Sequence, residues 1–236
     1  MEFLYKIILQ SGDFPVIMIQ MTTEKIIIFI GPQGSGKGTQ AQILVAKINA
    51  EYIEMGAQLR KIAAQDTEFG SLIRNILEEG KLVDNQNWGS IIRDQIAKIQ
   101  ANRPIILDGS PRNIEQAHIL IDYLHSIGRN NIATIYISVP RQESLRRLML
   151  RRVCSECKTS AILNGSQDQV CAKCGGNLVR RFDDNEQAIN VRLSIYERDT
   201  FPVVDFLKTK TDLKEIDGSA EISDITKEIY NALGIA

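Results

Sequence analysis

Lys25-Ile-Ile-Ile-Phe-Ile30 runs into Gly31-Pro-Gln-Gly-Ser-Gly-Lys-Gly-Thr39, and the reading of these fifteen residues decides the fold. The first six form an unbroken β-branched run ending at a glycine, which suits a strand buried on both faces of a parallel sheet. Gly31, four residues, then Gly36-Lys37-Gly38-Thr39 is close to the pattern GxxxxGK[ST], with one extra glycine before the hydroxyl residue. Glycines let the backbone curl until successive N–H groups face phosphate oxygens at the positive end of the following helix. Gly34, Ser35, Gly36, Lys37, Gly38 and Thr39 are therefore the candidate cradle for a nucleoside triphosphate, with Lys37 placing a point charge on its β- and γ-phosphates. The extra Gly38 leaves open whether Thr39 meets Mg²⁺ or a phosphate. From Gln40 to Ile48, Ala41, Leu44, Val45 and Ile48 share one helical face. Strand, glycine loop and helix in that order favour a ligand site over a bare glycine turn.

Working outward, Pro104-Ile-Ile-Leu107 reads as a second buried strand, residues 132–139 as a third and Leu213-Lys-Glu-Ile216 as a fourth. Ile114, Ala117, Leu120, Ile121 and Leu124 line one helix, and Ile222, Ile225, Ile229 and Leu233 a closing one. Strands alternating with helices predict an α/β fold, a P-loop doubly wound parallel sheet. Two stretches interrupt it: residues 54–84 read as an inserted helical segment, and 153–180 as a small module of cysteines, glycines and short polar runs. The core is taken as 25–236. Residues 1–24 read as an extension, or as a start placed too early with Met18 or Met21 as alternatives. Their apolar patches are broken by Ser11-Gly-Asp13 and Pro15, so neither a signal peptide nor a membrane span is read there, and a cytoplasmic chain is expected.

The chain has 236 residues, 44% hydrophobic and 24% charged, with a formal net charge of −1. That balance gives no reason to coat nucleic acid or a membrane, so any polyanion must be met by a local cationic cluster. All four cysteines fall in two CxxC pairs, Cys154/Cys157 and Cys171/Cys174, separated by thirteen residues. Two such knuckles supply four thiolates for a tetrahedral Zn²⁺, and four protein ligands leave no open position, so the metal reads as structural. A redox pair and free core thiols are the competing readings. Two histidines, His118 and His125, leave little scope for histidine-based catalysis.

A family resemblance rests on motifs in a fixed order: Gly-Ser-Gly-Lys-Gly-Thr-Gln-Ala-Gln (34–42), Lys81-Leu-Val83, Asp108-Gly-Ser-Pro-Arg112, Gln116, Arg151-Arg-Val153, Arg181-Phe-Asp-Asp184, Val191-Arg-Leu193 and Ile216-Asp-Gly218. Over about residues 25–235 the chain resembles the adenylate kinases, in the bacterial form with a zinc-bearing lid. The resemblance implies transfer of the γ-phosphoryl group of Mg·ATP to AMP, giving two ADP. No base is needed, because the acceptor oxygen is already ionised; catalysis rests on alignment and charge neutralisation, which suits arginine.

The same resemblance implies that Arg147, Arg151, Arg181 and Arg192 line the phosphate groove, and that Ser160, Ala161 and Ala220 belong to the ATP site. It implies an acceptor site of Met55, Arg60, Lys81, Leu82, Val83, Gly109, Ser110, Pro111, Arg112 and Gln116, with the Gln116 amide reading the base edge and Arg181 and Arg192 shared. Asp108, at the end of a buried strand, is expected in the water shell of Mg²⁺, or else is a structural turn residue. Arg141 and Arg146 read as solvated surface. The expected partners are ATP and AMP, with no nucleic acid or membrane, and a monomer is expected.

The sequence departs from the family pattern on the acceptor side. Glu54-Met-Gly-Ala57 stands where the family usually reads Ser-Thr-Gly-Asp, and Ser110 stands at a usual aromatic. Kinases of UMP or CMP, a weakly catalytic nucleotide-binding regulator and a zinc-ribbon nucleic-acid ATPase are the alternatives. Residues 153–180 contain no tryptophan, tyrosine or phenylalanine, which counts against the last.

Overall fold

The computed structural model describes residues 25–163 and 170–235; the segment 1–24 and residues 164–169 of the cysteine module lie outside it. Five parallel strands form the central sheet: β1 (Ile26–Ile30), β2 (Glu51–Glu54), β3 (Ile105–Asp108), β4 (Ile132–Ser138) and, last in the chain, β8 (Asp212–Asp217). Their spatial order is β2-β3-β1-β4-β8. All five residues of β1 are buried. Ile26, Ile28 and Ile30 pack to one side, and Ile27 and Phe29 to the other, as a strand covered on both faces must.

The first face is covered by α2 (Met55–Ala63), α3 (Glu68–Glu78), α4 (Asn85–Ala97), α5 (Ile114–Ser126) and α8 (Phe201–Lys210). The second is covered by α1 (Lys37–Ile48) and α9 (Ile222–Leu233). After β4 come α6 (Arg141–Leu150), an antiparallel sheet of β5 (Arg151–Cys154), β6 (Ser160–Ile162) and β7 (Leu178–Val179), and α7 (Glu186–Ile195). A five-residue π-helical turn, Tyr196–Thr200, joins α7 to α8. Among the described residues no helix is long and apolar enough to cross a membrane.

Three details differ from expectation. Strand β2 has no sequence signal because only Ile53 of Glu51-Tyr-Ile-Glu54 is buried, and its last residue, Glu54, was read as the start of the helical insert. Ile114 and Ile222 are 38% and 56% exposed and stand off the stripes read for them, each being the first residue of its helix. The third strand ends at Ser138, one residue earlier than read.

The topology fixes where a ligand can sit. From β1 the chain builds outward through β3 and β2 on one side and through β4 and β8 on the other. The crevice at the carboxyl end of β1, between β3 and β4, is the switch point at which open α/β sheets bind ligands.

Candidate active site

At that switch point β1 gives way to the glycine loop. Gly31 holds φ +147°, and a Cβ there would fall 2.2 Å from the Ile137 carbonyl oxygen of the neighbouring strand, so only glycine lets the loop leave the sheet at this point. Helix α1 then starts with Gly36 as its N-cap and no capping side chain, leaving its first-turn N–H groups open toward the crevice. Lys37 Nζ donates to the Gly31 and Pro32 carbonyls at 2.8 and 2.7 Å, curling back over the loop. Burial lowers its pKa to about 8, and Arg112 and Arg151 add to the fall against the pull of Asp108.

A cleft of about 500 Å³ opens beside this loop. Eight cationic residues line it (Lys37, Arg60, Lys81, Arg112, Arg151, Lys158, Arg181 and Arg192) against the acids Glu54, Asp108 and Asp183. On a chain whose formal charge is −1, this local excess is what a polyphosphate ligand requires. Gly34, Gly36, Gly38, Thr39, Gly109 and Ser160 also face the cleft; its lining contains no histidine.

The arginines come from separate parts of the chain, Arg60 from α2, Arg151 from β5, Arg192 from α7, and Arg112 and Arg181 from loops, and acids hold Arg60, Arg151 and Arg192. Asp184 is fully buried; its carboxylate accepts from Arg151 Nε and Nη2 at 2.8 and 2.6 Å and from Arg192 Nη2 at 2.7 Å. Burial works to raise the Asp184 pKa, but these bonds outweigh it and hold the carboxyl below its usual range. Asp183 accepts from Arg192 Nη1 at 3.1 Å and stands 3.7 Å from Arg60 Nη1. Asn185 Oδ1 caps α7 through the Ala188 N–H, which sets the angle at which Arg192 enters the cluster. Arg181 is held by Ser160 Oγ at 3.0 Å, and desolvation, with Arg151 and Arg60 nearby, lowers its pKa to about 10.

Arg112 is fixed through its backbone as well as its side chain. Its N–H donates to Gln116 Oε1 at 2.9 Å, its carbonyl accepts from the Thr200 hydroxyl at 2.7 Å, and its Nε donates to the Gly109 carbonyl at 2.9 Å. Desolvation, with Arg192 beside it, lowers its pKa to about 10. At the head of the cleft Asp108 is buried, and its Oδ2 accepts from the Tyr52 hydroxyl at 2.8 Å. Burial raises its pKa against the pull of Lys37.

Several predicted residues lie elsewhere. Ser35 is buried beneath the loop. Arg147 backs the loop from outside the cleft, donating to the Gly218 and Gly34 carbonyls at 3.0 and 3.4 Å and pairing with Glu143. Met55 and Val83 are core residues, and Ser110 is buried with its hydroxyl accepting the Trp88 indole N–H at 2.8 Å. Gln116 is 2% exposed with its carbonyl oxygen engaged, and Pro111 is buried. Leu82 faces a neighbouring groove; Ala161 and the exposed Ala220 do not line the cleft. Arg141 and Arg146 form outer pairs with Glu197 and Glu143. Asp183, Asp184, Thr200 and Glu54 were given no role by the sequence. The two aspartates close the motif Arg181-Phe-Asp-Asp184, and their nearness to Arg181 was the available signal.

At the end of β5 and in the turns beside the antiparallel sheet, the four cysteine Sγ atoms lie within 4.8 Å of one another, with Cys154–Cys174 at 3.4 Å and Cys157–Cys171 at 3.7 Å. Four thiolates at about 2.3 Å from a tetrahedral zinc stand about 3.8 Å apart, so this donor set fits such an ion.

Comparison with known proteins supplies the remaining finding. The family model described as adenylate kinase matches residues 29–212. The chain is 38% identical to an adenylate kinase of Staphylococcus aureus over 210 residues, covering 88% of this chain and 98% of that protein. It is 32% identical to one of Thermosipho africanus and 33% identical to one of Clostridium tetani, with the same coverage.

Proposed function

The chain belongs to the adenylate kinase family and is a phosphotransferase for ATP + AMP giving two ADP; from that premise we propose how its own residues divide the work. The observation that carries the reading is the cleft itself. The glycine-loop cradle with Lys37 and five arginines (60, 112, 151, 181 and 192) line the same cleft. One polyphosphate would leave much of that charge unused; two mutually repelling phosphate groups need it.

In this reading the first-turn amides of α1 and Lys37 take the donor's β- and γ-phosphates, and Thr39 stands beside them. Arg60 and Arg112 grip the acceptor phosphate, while Arg151, Arg181 and Arg192 face the transferring group. An acceptor phosphate oxygen attacks the γ-phosphorus, and the bond from that phosphorus to the β,γ-bridging oxygen breaks. The displaced charge stays on the departing ADP, so no side chain has to remove a proton. The guanidiniums neutralise charge on the equatorial oxygens and are preorganised for it by Asp183 and Asp184.

Oxygen donors suited to Mg²⁺ face the cleft in Thr39 and Asp108. When bound with ATP, Mg²⁺ would neutralise charge on the β- and γ-phosphates. A structural Zn²⁺ on Cys154, Cys157, Cys171 and Cys174 would hold the antiparallel sheet together. We read residues 153–180 as a lid that closes over the nucleotides and excludes water, residues 54–84 as the acceptor-binding segment, and the protein as a cytoplasmic monomer.

Of the four acceptor-side departures, Met55 and Ser110 are buried away from the cleft, Ala57 does not line it, and Glu54 lines it with its carboxylate on Arg60. Met55, Ala57 and Ser110 therefore supply no new contact for a different base, which supports AMP. A coupled assay with Mg·ATP and AMP, UMP or CMP in turn tests this. AMP should be preferred, with two ADP formed per turnover, and preference for a pyrimidine monophosphate would refute it.

A further inference from the structure

Glu54 ends β2 and stands in register with Asp108 of β3, so both carboxylates leave the carboxyl edge of the sheet side by side. It is also the N-cap residue of α2, yet its carboxylate makes no capping bond. It reaches instead to Arg60, with Oε1 accepting from Nη2 at 2.7 Å on the wall of the cleft. The intervening Gly56 makes this possible. A Cβ there would stand 3.2 Å from Arg60 Nη1 and 3.7 Å from Glu54 Oε1, crowding the space that the pair occupies.

A carboxylate and a phosphate ask the same thing of a guanidinium, two oxygens on its planar fork. We propose that Glu54 sets the acceptor affinity of this enzyme by occupying Arg60 as a stand-in anion that the acceptor phosphate must displace. This rests on the reading above, in which Arg60 grips the acceptor phosphate. The two side chains are 22% and 25% exposed, so the released carboxylate can turn to water without being stranded. Arg60 keeps Asp183 at 3.7 Å on its other nitrogen, so its orientation does not depend on Glu54.

The test is AMP binding by calorimetry to the ATP-free enzyme, together with steady-state kinetics, for wild type, Glu54→Gln and Glu54→Ser. Both variants should bind AMP about two- to fivefold more tightly and lower KM for AMP by the same factor. A partly exposed charge pair is worth up to about a fivefold change in affinity. The KM for ATP should not move, and kcat should stay within about twofold. In an Arg60→Ala background the Glu54→Gln change should have no further effect. Unchanged or weaker AMP binding in both variants overturns the proposal, weaker binding meaning that Glu54 orients Arg60. If Arg60→Ala alone leaves AMP binding intact, the fault lies in the assignment of Arg60, and the proposal falls with it.

Discussion

Replacing Asp184 by asparagine should separate the electrostatic scaffold of the cleft from its chemistry. The wild-type carboxylate has no exposure and accepts three N–H groups from two arginines, whose side chains are only 17% and 10% exposed. Asparagine keeps the shape but offers one acceptor oxygen, and it turns an N–H₂ group toward guanidinium donors. Arg151 is then left buried without a counter-charge and Arg192 keeps only Asp183, which costs about 3–5 kcal/mol. For a chain of this length each kcal/mol moves Tm by about 2–4 °C, so a fall of roughly 6–20 °C is expected.

Thermal unfolding followed by circular dichroism measures this, with and without saturating ATP and AMP. Nucleotide phosphates bring back the missing anions, so the gap between variant and wild type should narrow when both are present. The pH dependence has a definite sign. The Asp184 pKa is depressed in the folded state, so its contribution is complete above the unfolded value of about 3.9 and is lost as pH falls through the folded one. The gap between variant and wild type should therefore begin to narrow only below about pH 4 and close at a pH beneath the depressed folded pKa. A fall of less than 2 °C, or a gap that nucleotides leave unchanged, would refute the view that Asp184 is the counter-charge of the cluster.

Lys37 should give an alkaline signature. Its pKa is near 8 in the free protein and must rise when triphosphate arrives, so ATP affinity should weaken above pH 8, by up to about tenfold per pH unit, with proton uptake detectable by calorimetry in buffers of different ionisation heat. Between about pH 8 and 10.4 the unfolded chain holds a proton that the folded one lacks, so Lys37 makes stability rise with pH across that window. A flat ATP affinity from pH 7 to 9.5 would contradict this. Elemental analysis should find one zinc per chain. Stripping it should make residues 151–180 labile to protease and reduce activity while moving the main unfolding transition little, because none of the described residues of that sheet belongs to the sheet-flanking core clusters. Thr200→Val removes the hydroxyl that holds the Arg112 carbonyl at 2.7 Å. It should raise KM for AMP about three- to tenfold with KM for ATP unchanged, consistent with the net worth of one buried hydrogen bond, and Thr200→Ser should restore it.

The sequence by itself determined what depends on neighbours along the chain. The β-branched run from Lys25 to Ile30, the glycine spacing after it and the pairing of cysteines at CxxC are local patterns with local physical causes. They were enough for the sheet, the phosphate cradle and the four-thiolate cluster. The order of charged motifs added the cleft arginines at 60, 112, 151, 181 and 192, all of which line the site. Strand β2 escaped notice because an edge strand with one buried residue carries no alternation.

Only the tertiary structure decided which side of the loop each predicted residue takes. Arg147 and Arg151 stand four residues apart, but α6 ends between them. The first therefore braces the back of the loop, and the second enters the cleft at the start of β5. Met55 and Ser110, departures that cast doubt on the acceptor, fall into the core, while Glu54 beside them faces Arg60. Asp183 and Asp184 acquire their part only when α7 carries Arg192 back against Arg151 and Arg60. These contacts, some between near neighbours in the chain and others between residues tens of positions apart, are governed by burial and charge balance in three dimensions, and they settle how the cationic cleft is held ready for its phosphates.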